Sequence, residues 1–198
     1  METMEARMVK LYARNNNHVA LHAIPGHFAT SHSHINFYID MTSLKTRANE
    51  AQEVAKSLAG DYVNSTVVDT IVCMDGTEVV GAYLAQEFEK RGFRNTNLHD
   101  TIYVVTPEYN ANNQLIFRDN TIPAIKGKNV ILLLATTTTG LTVRRSLECV
   151  QYYGGTVHGI SSIFSIVKKV GGMEVHSVFN ADDVPGYQAF GRDECPYC

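Results

Sequence analysis

The chain has 198 residues, a length that supports one well-cored domain rather than two. Its 44% hydrophobic and 19% charged content are ordinary for a globular protein, and a formal charge of −3 gives no electrostatic reason to expect nucleic acid or an anionic membrane as partner. No apolar run approaches the ~20 residues needed to span a bilayer, and four cysteines, two of them (Cys73, Cys149) inside predicted regular elements, fit a reduced cytoplasmic protein better than a disulfide framework.

In chain order, residues 1–14 read as a short helix carrying Glu2, Glu5, Arg7 and Lys10, not as a signal peptide, and Asn15 to Asn17 break it. The segment His18 to Asp40, rich in histidine, glycine and aromatic residues, reads as a loop or short-strand region over the core. Thr42 or Ser43 can cap a helix to about Ala59, with Leu44, Ala48, Ala51, Ala55 and Leu58 on one face and Gly60 just past its end. Val67 to Met74 is a predicted strand, and Asp75-Gly76-Thr77 turns into a helix from Val79 to Lys90 that stops near Gly92. Thr101 to Thr106 is a strand ended by Pro107, and Gln114 to Phe117 forms a hairpin arm after a polar stretch. The apolar run Val130 to Leu134 then meets four threonines and Gly140, and Val143, Leu147 and Val150 recur at helical spacing up to about Tyr153. Val157 to Ile166 and Glu174 to Phe179 complete the strands.

Strands alternating with helices argue for an α/β fold, an open, mostly parallel sheet covered on both faces. Residues 1–60 form an N-terminal hood, 61–180 the core and 181–198 a tail of one domain. Ligands of such sheets sit at the carboxyl ends of the strands, so the turns after Met74, Thr106 and Ala135 are expected to face one crevice. The strand–threonine–helix junction aims backbone amides, hydroxyls and the positive end of a helix dipole at one point, which suits a phosphate. Its bland alternative is a polar turn that binds nothing.

Thr138-Thr139-Gly140-Leu141-Thr142, after its hydrophobic strand, resembles the phosphate half of the 5-phosphoribosyl-1-pyrophosphate (PRPP) signature of the type I phosphoribosyltransferases, with Leu141 in place of a second glycine. The acidic half, which holds the ribose hydroxyls, falls on Leu134 and Ala135 and does not match. A second patch, Gly26 to Asp40, is similar to the amino-terminal signature of the orotate phosphoribosyltransferases at Gly26, His27, Phe28, Ser31, His34 and Tyr38, and departs from it at His32, Ser33, Ile35 and Asn36.

The resemblance implies Thr137, Thr138, Thr139, Gly140, Leu141 and Thr142 as the phosphate site and Met74, Asp75, Gly76 and Thr77 as the pyrophosphate loop. It also implies a homodimer, PRPP as ligand and a place in pyrimidine biosynthesis. Three further features depart from it. The catalytic loop, basic in the family, falls on Thr106-Pro107-Glu108 with no lysine until Lys126. The base-receiving Asp-Arg falls on Phe164 to Lys169, and lysine lacks the two-pronged donor a carboxylate prefers. Asp75 and Glu78 repel pyrophosphate unless Mg²⁺ bridges, or else simply cap the turn and the helix.

Two metal readings compete in the same chain. His18, His22, His27, His32 and His34 put five of eight histidines close together, with His32 and His34 on one side of a strand, although histidine often serves only surface or packing roles. Cys195-Pro196-Tyr197-Cys198 is half a zinc site or a redox pair, and resembles a motif at the end of some orotate enzymes. Two more ligands are needed for structural zinc, and the sequence does not designate them; a second subunit is one source.

Three functions follow as expectations. An active transferase needs the charged groups this chain has lost, each commonly worth about 10²–10³ in rate, so transfer to orotate should be very weak. A regulatory protein that binds PRPP or a nucleoside 5′-phosphate needs only the threonine seat. A metal-assisted hydrolase would use Asp75, Glu78 and Glu108 as its catalytic acids.

Overall fold

The computed structural model describes residues 5–30, 33–90, 101–191, 194–196 and 198; Ser31, His32 and the helix stop at Gly92 lie outside them. Among the described residues, the expected helix over 1–14 is present only as a single 3₁₀ turn, Glu5–Arg7. Strand β1 (Val9–Ala13) instead pairs antiparallel with the long β2 (Asn16–Ala29), which pairs with β3 (His34–Asp40). The physical reason is a period of two: Val19, Leu21 and Ala23 are fully buried, and Leu11 and Ala13 lie inward of Lys10 and Tyr12. The segment expected as a loop or short-strand region over the core is thus a sheet, with one strand of 14 residues.

Two helices, α1 (Thr42–Thr46) and α2 (Ala48–Ala59), replace the single one expected, because Arg47 is extended between them. Neither Thr42 nor Ser43 caps by its side chain; the Asp40 carboxylate accepts from the Thr42 amide at 2.9 Å. Gly60 stays right-handed, and turns through Tyr62 carry the chain to the core sheet.

That sheet comprises β4 (Thr70–Cys73), β5 (Tyr103–Val105), β8 (Asn129–Thr137), β9 (Thr156–Ser165), β10 (Lys169–Val170) and β11 (Met173–Asn180). Between β5 and β8 lies a small hairpin, β6 (Glu108–Tyr109) with β7 (Leu115–Ile116). The core order is β10-β11-β9-β8-β4-β5, parallel except for β10. Helix α3 (Glu78–Glu89) follows β4, and α4 (Leu141–Tyr152) follows β8.

Alternate residues of the central strands serve two cores. Ile71, Ile131 and Leu133 pack with α2, α3 and the hood strand residues Val19 and Leu21. Val72, Leu132 and Leu134 pack with Val143 and Val150 of α4. A strand apolar on both sides is what a parallel sheet covered on both faces requires. A last strand, β12 (Ala189–Phe190), returns the tail to the hood by pairing with β3. No helix among the described residues is long and apolar enough to cross a membrane.

Candidate functional site

Strand β8 delivers the threonines to the carboxyl edge of the sheet. Gly140 then breaks the strand with φ +74°, and α4 begins at the next residue. A side chain at 140 is excluded twice: the left-handed backbone disfavours it, and a Cβ would lie 2.7 Å from a methyl of Val170. Strand β10 therefore buttresses the turn from behind. The first amides of an α-helix have no intrahelical partner, and that of Leu141 reaches only the Thr139 hydroxyl, at 3.4 Å.

These amides open on a cavity of about 550 Å³ lined by residues 136–143, Asp75, Thr30, Tyr109, Asn113 and Arg145. The three turns expected to share a crevice do so: Asp75 follows β4, Tyr109 and Asn113 belong to the hairpin after β5, and the threonines follow β8. Arg145 is the one cation and Asp75 the one carboxylate among the described lining residues. Thr138 is half-buried and Thr139 exposed, whereas Thr137 is buried with its hydroxyl 3.3 Å from that of Ser162.

The loop after β4 turns through two left-handed residues, Asp75 (φ 57°) and Gly76 (φ 77°). Met74 and Thr77 are buried in it, and the Thr77 hydroxyl lies 2.8 Å from the Met74 carbonyl and 3.1 Å from that of Leu133. Lys45 reaches over from α1 and donates to the Asp75 carbonyl at 2.7 Å. Lost hydration in the crevice raises the Asp75 pKa above the usual carboxylate value, against the opposing pull of Lys45 and the Ala135 amide.

The remaining acids are engaged elsewhere. Glu78 opens α3 and accepts from the Thr106 hydroxyl at 3.0 Å. Glu108 is held by both prongs of Arg118 at 2.6 Å, which lowers its pKa. Asp75, Glu78 and Glu108 do not come together as one metal-sized group among the described residues. Leu134 and Ala135 are buried on opposite faces of β8, which runs on to Thr137. The Ser165–Lys168 segment, in the region expected to receive the base, lines a separate cavity of about 440 Å³.

No family model and no curated protein sequence matches the chain. Solved structures do. Residues covering 81% of the chain superpose on 34% of UMP synthase from Leishmania donovani, with a TM-score of 0.57 and 16% identity. Orotate phosphoribosyltransferase of Mycobacterium tuberculosis, also solved in complex with PRPP, gives a TM-score of 0.56 at 15% identity over 82% of this chain and 91% of that one. Adenine phosphoribosyltransferase of Thermoanaerobacter pseudethanolicus gives 0.54 at 16% identity over 89% and 97%. The fold is that of the type I phosphoribosyltransferases.

On this phosphoribosyltransferase fold, sequence reasoning designated the threonine loop and Asp75, and missed Thr30, Lys45, Tyr109, Asn113 and Arg145. Only Arg145 had a local signal, standing four residues after Leu141 and hence on the same helix face as the start of α4.

Proposed function

We propose that the chain binds a phosphoribosyl compound, PRPP or a nucleoside 5′-phosphate, at the threonine crevice, and that it acts as a sensor or regulator with at most very weak transfer to orotate. The observation that carries this reading is the Gly140 turn, which starts α4 in the wall of a cavity shared with Arg145. Hydrogen-bond donors at a helix start recognise a phosphate already present in the ground state. Transfer needs more, namely charge aimed at the ribose cation and the departing pyrophosphate. Leu134 and Ala135 are apolar and buried, and the hairpin's own acid, Glu108, is neutralised by Arg118.

Mg²⁺ favours one or two carboxylates completed by phosphate oxygens. Asp75 fits that role as a single protein ligand, with the pyrophosphate of the ligand supplying the rest. A homodimer and a cytoplasmic setting belong to the same proposal, the second supported by the buried free thiols of Cys73 and Cys149. The test is calorimetric titration with PRPP, with and without Mg²⁺, on the natural chain and on Thr138→Ala/Thr139→Ala. Binding that the double variant abolishes is the expected result. Equal affinity in both proteins, or no binding in either, would refute the phosphate seat.

A further inference from the structure

Four side chains from one hairpin of the hood and from the distant tail converge on one point, outside the threonine crevice. His27 lies on β2, His34 begins β3, and Cys195 and Cys198 belong to the tail. The strand pairing explains the convergence. His34 pairs with Ala29, and an irregularity of register between Pro25 and Phe28 falls at His27, which leaves the two ring centroids 5.2 Å apart. Phe190 of β12 pairs with the same His34 and brings the tail alongside. The tail then turns, with the Cys198 amide 3.3 Å from the Cys195 carbonyl, so that both sulfurs face the rings.

The distances discriminate among chemistries. His27 Nε2 and His34 Nδ1 are 3.3 Å apart. Cys195 Sγ is 3.3 Å from His27 Nε2, and Cys198 Sγ is 3.7 Å from His27 Nε2 and 3.1 Å from His34 Nδ1. All four ligand atoms lie within 4.8 Å of one another. A tetrahedron with Zn–N of about 2.05 Å and Zn–S of about 2.3 Å has N···N edges of about 3.3 Å and S···N edges of about 3.6 Å. The observed edges bracket those values. A redox pair of cysteines needs neither histidine, and gives no reason for both ring nitrogens to turn toward the sulfurs.

We propose that His27, His34, Cys195 and Cys198 form a structural zinc site within a single chain. Two thiolates neutralise the charge of Zn²⁺, and a thiolate–imidazole set selects zinc over Mg²⁺ or Ca²⁺, which take oxygen ligands. Four protein ligands close the coordination shell, so the ion serves as a staple and not as a Lewis acid. It fastens the tail to the β2–β3 hairpin, whose turn is closed by Thr30 and Ser33, with the Thr30 hydroxyl donating to the Ser33 carbonyl at 2.7 Å. Thr30 also walls the threonine crevice. The site stands whether or not a phosphoribosyl ligand binds there.

The experiment is elemental analysis of the full chain after purification without chelators and desalting. It is repeated on Cys195→Ser/Cys198→Ser and on His34→Ala, with circular dichroism to establish that each protein is folded. About one zinc per chain is expected in the natural protein and background levels in both variants. Apoprotein titrated with cobalt(II) should develop thiolate-to-metal charge-transfer bands together with the d–d bands of tetrahedral coordination. Folded natural protein that neither carries zinc nor gives those bands would overturn the proposal. So would zinc retained by the double cysteine variant.

Discussion

Gly140→Ala is the sharpest test of how the crevice is built. The substitution adds one methyl group and changes no charge, yet the structure assigns it two separate costs. The backbone at 140 is left-handed, with φ +74° and ψ 7°, and an alanine there costs roughly 1–2 kcal/mol. The new Cβ would stand 2.7 Å and 3.3 Å from the two methyls of Val170, which is itself buried in the α4 core. Inserting a methyl into such packing typically costs about 1–3 kcal/mol. Partial relaxation makes the two costs less than additive, so we expect destabilisation of about 2–4 kcal/mol, or roughly 4–16 °C in Tm for a chain of this size. The assay is urea unfolding of four proteins: the natural chain, Gly140→Ala, Val170→Ala and the double variant. Val170→Ala removes the clash and leaves the backbone cost, so the pair should be coupled by about 1–2 kcal/mol, the double variant being more stable than the sum predicts. A Gly140→Ala protein within about 0.5 kcal/mol of the natural one, or a cycle additive to within that margin, would refute the account of β10 as buttress.

Leu134→Asp, which restores one acid of the PRPP signature, should unfold the protein or destabilise it by more than about 4 kcal/mol, because it truncates a buried leucine and leaves a carboxylate in its place; a near-natural Tm with new Mg²⁺ dependence would place residue 134 in the crevice instead. Asp75 predicts a pH effect. Its raised pKa means that ionisation costs the native state stability as pH rises from the unfolded value through the folded one. Asp75→Asn should therefore be more stable than the natural chain at pH 7 and no different below the unfolded pKa, and equal stabilities across that range would count against burial of the carboxylate. The same variant should bind PRPP about 3–10-fold more tightly without Mg²⁺, from relief of one like charge in the cavity wall, and should lose any Mg²⁺ enhancement. Calorimetry with and without the metal reads both signs.

The core sheet was legible because its signal is local. Five apolar residues from Val130 to Leu134, bounded by threonines and Gly140, are enough to specify a buried strand, a turn and a helix start. The hood was less so, because Ala20 blurs the alternation of Val19, Leu21 and Ala23, because Pro25 and Gly26 interrupt the strand, and because the charged, apolar mixture before Ala13 fits a helix as well as an edge strand. Thr30 walls the crevice and Lys45 clasps the Asp75 carbonyl only after the hood folds over the core, a juxtaposition no spacing records. The metal ligands were seen in halves. His27 and His34 sat within a histidine-rich patch and Cys195 and Cys198 in a terminal pair, but the register of β12 against β3 joins them across more than 160 residues.

The groups retained and the groups lost fall on opposite sides of the distinction between recognition and catalysis. In the proposed site, amides of α4, the Thr138 and Thr139 hydroxyls and Arg145 would meet a phosphate that carries the same charge before and during any reaction, so they would stabilise ground state and transition state alike. Such uniform binding does not lower the barrier between them. The positions that would bind more strongly in the transition state are the acid pair and the basic loop. Here they are Leu134 and Ala135, sealed into the two cores, and a hairpin whose Arg118 is occupied by Glu108. Strand β8 runs on past both positions to Thr137, whose carbonyl accepts from the Ile166 amide and the Ser165 hydroxyl. On the proposed reading, a chain built this way suits holding its ligand more than converting it, because the retained groups act on the phosphate and not on the reacting centre.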